Sequence, residues 1–412
     1  MVVAPRRWFH APWEFKESML FTAIFVIAGF GIEYAVGGEG IPQPHLPYNA
    51  IFLGVFGVLI LSVGLAFRNN SVVKWLGGIP LGLFLICAIA TLSLIGGIVP
   101  QEDAIPGSLS ALLRINHIFS SWPFALTILL FLVNLGIGLS WRLLPFNRQN
   151  FQFILFHAGF WIALSCGIFG SPDLQRLVVP IEVGKANNLG YTMDSELPKP
   201  LPFSIFLQNF SLEEYPPQLL LYDPHSDKLL VEHSQTIIQV RKGVKASWKG
   251  VEVLVLDYMP HALPGKNGAP QPADRITGIP FAKVRIISTN AIPREAWIST
   301  GSPILKPYAA DLGGLFLIMM QGSPKSFRSA ISVQDENGDQ KKANLEVNHP
   351  VDFKGWKLYQ MGYDEKAGRW SQLSLVEVIH DPWLPAVYLG LFMIMAGNTL
   401  FFWNGIKSSE VA

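Results

Sequence analysis

Six stretches of this chain stay apolar for about 18 residues or more, long enough to cross a bilayer as helices. They are Met19–Gly38, Ala50–Phe67, Trp75–Val99, Trp122–Ser140, Phe151–Gly170 and Trp383–Trp403. Hydrocarbon holds no water to satisfy backbone N–H and C=O groups, so a lone apolar stretch must satisfy them internally, as a helix. Composition agrees. Charged residues make up 15% and hydrophobic residues 50%, against about 25% charge in a soluble domain, and the mean hydropathy is +0.33. Between the fifth and sixth stretches lies a long polar region, 171–382. The pattern predicts an α-helical integral membrane protein of about six transmembrane helices, with one large domain between the last two.

Lys and Arg concentrate in short cytoplasmic loops. Arg6, Arg7 and Lys16 precede the first span, Arg68 and Lys74 separate the second and third, Arg142 and Arg148 the fourth and fifth, and Lys407 follows the sixth. Six crossings put all these segments on one side. The short loops of the other side, Glu39–Asn49 and Pro100–Ser121, carry Arg114 alone. Both termini are therefore expected in the cytoplasm of a plasma (inner) membrane, with 171–382 extracytoplasmic. Arg6 and Arg7 followed by an apolar run and "YAVGG" also fit a cleavable signal peptide. The run is long for one, and Glu33 interrupts its far end. The net charge of +1 gives no footprint for nucleic acid.

The texture of 171–382 is different. "KGVEVLVLDYM", "PFAKVRIIST" and "KANLEVNHPVDFKGWKLYQM" are rich in Val, Ile and aromatics and bounded by Gly, Pro and Asn, which marks strands. "ENGDQ" (336–340) has the Asn-Gly of a hairpin turn. "LGGLFLIMM" (312–320) is too short to span and reads as a buried strand. The region is predicted to be antiparallel and β-rich.

The two cysteines, Cys87 and Cys166, lie inside apolar runs. Neither C-x-x-C nor C-x-x-C-H occurs, so there is no dithiol motif and no covalent haem site. The P-loop, G-x-S-x-G and H-E-x-x-H motifs are absent, which argues against an ATPase or hydrolase. Nine histidines are the remaining inventory. His157 is set well inside the fifth span, roughly 9 Å from its start at helical rise. A polar group at that depth faces a cavity or a partner. It could ligate haem iron or hydrogen-bond a neighbouring helix. His117 and His380 lie just outside the fourth and sixth spans and are weaker candidates. His10, His45, His225, His233, His261 and His349 fall in polar segments. Glu33, near the outer end of the first span, is expected to reach water. Trp122, Trp141, Trp383 and Trp403 mark span ends as an interfacial belt.

An ordered set of segments resembles one family. They are "GGIVPQ" (96–101), "HIFSSWPFALTILLFLVNLGIGLSWRL" (117–143), "FILFHAGFWIALSCGIFGS" (153–171), "PKSFRSAISV" (324–333), "VNHPVDFKGWKLYQMGYD" (347–364) and "VIHDPWLPAVYLGLFMIMAGN" (378–398). Together they resemble ResB, or CcsB, of cytochrome c maturation system II, over roughly Trp75 to Trp403. This divides the chain into 1–74, a cytoplasmic segment with two additional helices; 75–170, a ResB-like three-helix region; 171–382, the β-rich domain; and 383–412, the last helix and tail.

The resemblance implies a haem-delivery subunit of a cytochrome c synthase, non-catalytic or co-catalytic, with no catalytic residue of its own. Haem b would be carried non-covalently, with a CcsA-type membrane protein and apocytochrome c as partners. It implies His157 as an axial haem ligand, the second coming from the partner. The Trp-rich haem-handling motif of CcsA is absent, since no two Trp lie closer than Trp8 and Trp13. A separate CcsA-type chain is therefore expected. The two additional N-terminal helices depart from the family pattern. Other classes remain open: a scaffold that stabilises CcsA without binding haem, a quinone-linked haem electron-transfer subunit, or a solute transporter. The second is disfavoured by a single deep histidine, and the third by few mid-membrane polar groups and no inverted repeat.

Overall fold

A computed structural model describes residues 12–410, apart from 103, 145, 147–149, 193–194, 231–237, 249, 266–267, 275–276 and 289–290. Arg6 and Arg7, with the cleavage reading that rests on them, His10, Arg148 and His233 lie outside the described residues, as does the side chain of Lys407. The chain divides into a helical unit, 1–174 with 381–412, and a β-rich unit, 175–380.

The helices are α1 Phe15–Ala35, α2 Tyr48–Ala66, α3 Ser71–Leu76, α4 Ile79–Ile98, α5 Leu109–Leu112, α6 Trp122–Leu143, α7 Phe151–Gly170 and α8 Leu384–Glu410. All but α3 and α5 are long and apolar enough to cross a membrane, so the chain is a multi-pass membrane protein, as its apolar pattern predicts. Two starts lie four residues from the sequence expectation. Helix α1 starts at Phe15, because Glu14 and Glu17 form a reciprocal capping box that holds its first turn. The third span does not run from Trp75. Asn70 caps α3, its Oδ1 accepting from Val72 N at 2.8 Å, and Gly77 and Gly78 separate α3 from α4. Pro80 cannot donate into a preceding turn and is placed at the start of α4 instead. Asn134 of α6 closes the break by donating to Leu76 O (2.5 Å) and Gly78 O (3.0 Å).

Helix α6 is the centre of the unit, packed by α1, α2, α4 and α7. Backbones approach closely where glycine allows it: a Cβ at Gly29 of α1 would lie 2.6 Å from Pro123 Cα. Polar ties fix which ends meet. At one end, Trp75 Nε1 donates to Ser18 Oγ (2.9 Å), and Arg68 donates to Trp141 O and Leu144 O (3.5 Å each). At the other, Arg114 donates to Gly38 O (2.7 Å) and Ser120 Oγ (3.0 Å). Successive spans therefore run up and down.

Glu33 corrects the expectation that it reaches water. It is fully buried, accepting from Gly40 N (2.9 Å) and Trp122 N (2.7 Å). Trp122 opens α6, so the carboxylate satisfies one of the free first-turn N–H groups of that helix and lies at the positive end of its dipole. Asp173, just after α7, ties the same end together. It accepts from His45 Nδ1 (3.3 Å), Leu46 N (3.0 Å), Asn49 Nδ2 (2.6 Å) and Trp383 Nε1 (2.7 Å). Trp141, placed in an interfacial belt by its position, also donates to Gly64 O (3.0 Å).

The β-rich unit has the strands its punctuation predicts. Eight of them form one antiparallel sheet, in the order 340–346, 324–335, 195–214, 186–192, 175–182, 373–380, 356–363, 351–353. Its two edges approach each other, with Lys341 Nζ donating to Asp352 O (2.7 Å), so the sheet curls nearly into a barrel. Alternating residues such as Val179, Ile205, Leu207, Val333, Leu358 and Val376 fill the interior. The remaining strands form two smaller sheets that share a second core, including Leu221, Val255, Val284 and Leu317. The segment 312–320 supplies the predicted strand, Phe316–Met320. The Asn-Gly hairpin is also present: Gly338 takes φ +87°, and the Asp335 carboxylate accepts from Asn337 N (3.1 Å) and Asp339 N (2.8 Å).

Candidate functional site

The three candidate histidines occupy three different settings. His157 lies six residues into α7, at the end of the bundle where Arg142 and Asn150 meet. Helical periodicity turns Phe156, Gly159 and Ala163 towards α8. There a Cβ on Gly159 would lie 2.6 Å from Gly390 O, and one on Gly390 would lie 2.6 Å from Ala163 N. Trp161 and Leu164 turn instead to α6: Trp161 Nε1 donates to Leu132 O (3.1 Å), and Leu164 packs against the Phe131 cluster. His157, one heptad before Leu164, lies on the α6 side of the helix. It stays half-buried, because its ring folds back along α7 to stack on Phe153, with centroids 3.7 Å apart and planes 23° apart.

That posture sets the imidazole's chemistry. Nδ1 is 2.9 Å from Phe153 O, one helical turn back. A carbonyl oxygen only accepts, so Nδ1 carries the proton and Nε2 carries the in-plane lone pair. Among the described residues Nε2 has no hydrogen-bond partner. A ring nitrogen bound to a backbone carbonyl, with the other nitrogen open, is the arrangement that metal-ligating histidines adopt. Phe156 meets the ring edge-on at 5.1 Å. The donor set thus fits one axial bond to an iron already held in a macrocycle. It does not fit a bare ion: no group of three or more His, Cys, Asp or Glu among the described residues could hold one.

His117 is at the opposite end of the bundle. It lies in the 3-10 turn Ile115–Ser120, where its own φ of −139° interrupts the helical geometry. Arg114 pins the turn, and Asn116 Nδ2 donates to Glu102 O (2.8 Å). From helical rise, most of the α6 span separates His117 from His157, roughly 20 Å along the axis. The two imidazoles are therefore not brought together. His380 closes the strand Leu373–His380 of the β-rich unit and stacks on Trp356 at 5.0 Å. Trp356 also lines a cavity of about 270 Å³ with Phe203, Phe353, Lys354 and Asp335. Lys354 is bound there to Asp335 and to Asp339 (2.5 Å). These ion pairs hold Asp335 below the usual carboxylate range and Lys354 above its ordinary value.

Sequence reasoning passed over Phe153 and Arg142. The Phe153 carbonyl was open to deduction, since i−4 is the backbone acceptor beneath any helical side chain. Arg142 figured only as a loop charge. Its guanidinium lies 4.9 Å from the Phe153 ring centroid, and Nη1 donates to Asn150 Oδ1 (3.0 Å).

Comparison with known proteins finds a match to the ResB-like family over residues 308–375. The matched segment lies wholly in the β-rich unit and includes "PKSFRSAISV" and "VNHPVDFKGWKLYQMGYD". No curated protein matches the chain.

Proposed function

We propose, from the match of residues 308–375 to the ResB-like family, that this protein acts in cytochrome c biogenesis as the haem-delivery subunit of a cytochrome c synthase. Haem is its cargo. His157 Nε2 forms one axial bond inside the membrane, and an imidazole of a CcsA-type partner forms the other. Two imidazoles close both axial positions of the iron, which keeps oxygen off it in transit and helps set its potential. Phe153 fixes the ring in the ligating tautomer and limits its rotation. The Arg- and Lys-bearing end of the bundle, near His157, faces the cytoplasm where haem is made, and the β-rich unit is extracytoplasmic, where apocytochrome c receives haem. The thioether chemistry belongs largely to the haem vinyls and the apocytochrome thiols.

The observation that carries this reading is the open Nε2 of an imidazole whose Nδ1 is committed to Phe153 O, set within an apolar span. The test is the visible spectrum of the chain purified with and without the CcsA-type partner. A Soret band that is lost in His157→Ala supports the assignment. Absence of haem from both preparations, with the partner accumulating only when this chain is present, would establish the scaffold reading instead.

A further inference from the structure

Resting on the reading of His157 as a haem ligand, we propose that Arg142 is the group that recognises the cargo's carboxylates, so that the site selects a porphyrin bearing propionates over an uncharged one. The placement of Arg142 is unusual for a charge that serves topology alone. Such a side chain extends towards headgroups and water. Arg142 instead folds over Phe153, the ring on which His157 stacks, and is fastened by Asn150. Capping the α6 C-terminus does not require it, because Arg68 already donates to Trp141 O and Leu144 O there.

A guanidinium has five N–H donors in a planar fork suited to carboxylate. Among the described residues one nitrogen, Nη1, is engaged, with Asn150. The column Arg142–Phe153–His157 therefore presents an open cation and an open iron ligand on adjoining side chains, with an aromatic face between them. Haem has the matching layout: a central iron, a planar apolar body, and two carboxylates on one edge. Delivered iron-first to Nε2 with its carboxylate edge towards Arg142, it would enter with its charges near the headgroup layer and its apolar edge leading inward. Arg142 is a positioning residue here and forms no bond to iron.

The experiment titrates the full chain in detergent with haem and with haem dimethyl ester, which has the same iron and ring and no carboxylate charge. Wild type should bind haem more tightly than the ester by about tenfold, the effect of one charge-assisted hydrogen bond. Arg142→Gln should remove the preference and leave the Soret maximum in place, because the axial imidazole is untouched; Arg142→Lys should retain part of it. Equal binding of the two porphyrins by wild type, or a preference that survives Arg142→Gln, overturns the proposal. The wild-type comparison needs no variant, so misfolding of Arg142→Gln does not rescue the idea. Failure of the underlying reading is separate: a Soret band unchanged in His157→Ala for both porphyrins removes the ligand itself.

Discussion

At the scale of single residues, what matters most is which atom of each polar side chain is already committed. His157 could be located from the sequence, but its tautomer could not. A deep imidazole was compatible with iron or with a neighbouring helix, and the bond to Phe153 O decides only which nitrogen is left to act. Glu33 went the other way, from a carboxylate expected in water to one buried on two backbone N–H groups. Its partners are Gly40 and Trp122, and no local pattern links Glu33 to a helix start 89 residues later. In the β-rich unit, Lys354 and Asp335 form a charge clip with a predictable pH response. Asp335, its pKa depressed, adds stability above the ordinary carboxylate value, and this is lost as pH falls through its folded value. Lys354, its pKa raised, adds stability below the ordinary lysine value, and this is lost as pH rises through its folded value. Thermal unfolding of wild type and Lys354→Met should therefore differ most near neutral pH, and the two curves should converge as the acid flank is approached. A gap that is constant from neutral to acid pH would remove the clip from the account.

At the scale of elements, the helices were legible because lipid leaves a backbone little choice: length and apolarity alone determine them. Their ends were less so. The break between α3 and α4 is visible only when Gly77, Gly78 and Pro80 are read as a stop and a start rather than as tolerated residues within an apolar run. The pairing of α7 with α8 is a packing fact that hydropathy cannot encode, since lipid and helix are equally apolar; small residues are the signal. Gly159 and Gly390 put the two backbones in contact. Gly159→Val should push α8 from α7 at a cost of about 1–3 kcal/mol, the usual range for overpacking, lowering the thermal midpoint in detergent. Because Gly159 is two residues from His157, it should also weaken haem binding more than a Val placed at the exposed Gly167. An unchanged midpoint would show that the interface yields without cost.

At the scale of the whole molecule, the plan of five spans, a β-rich region and a closing span was readable because each part has its own period and length. Strand order was not: the curled eight-stranded sheet joins 175–182 to 373–380, almost two hundred residues apart, and nothing local announces that pairing. The motif resemblance covers roughly Trp75 to Trp403, whereas the family match covers only 308–375. The family match thus falls in the β-rich unit, while the candidate ligand lies in the helical unit. The proposed orientation makes a direct prediction. In a chain lacking Cys87 and Cys166, cysteines at Glu102 or Ser226 should react with a membrane-impermeant maleimide in intact cells. A cysteine at Asn69 should react only after permeabilisation. The reverse pattern would invert the topology and put His157 at the wrong end for haem arriving from the cytoplasm.

The central claim, that His157 Nε2 binds haem iron, is tested most directly by chemical rescue. His157→Gly removes the imidazole and leaves space for a free one. The account predicts that the purified variant, with its CcsA-type partner, loses the bis-imidazole Soret band and regains it when imidazole is added to the buffer. A Soret band of wild-type position and intensity in His157→Gly without added imidazole would contradict it.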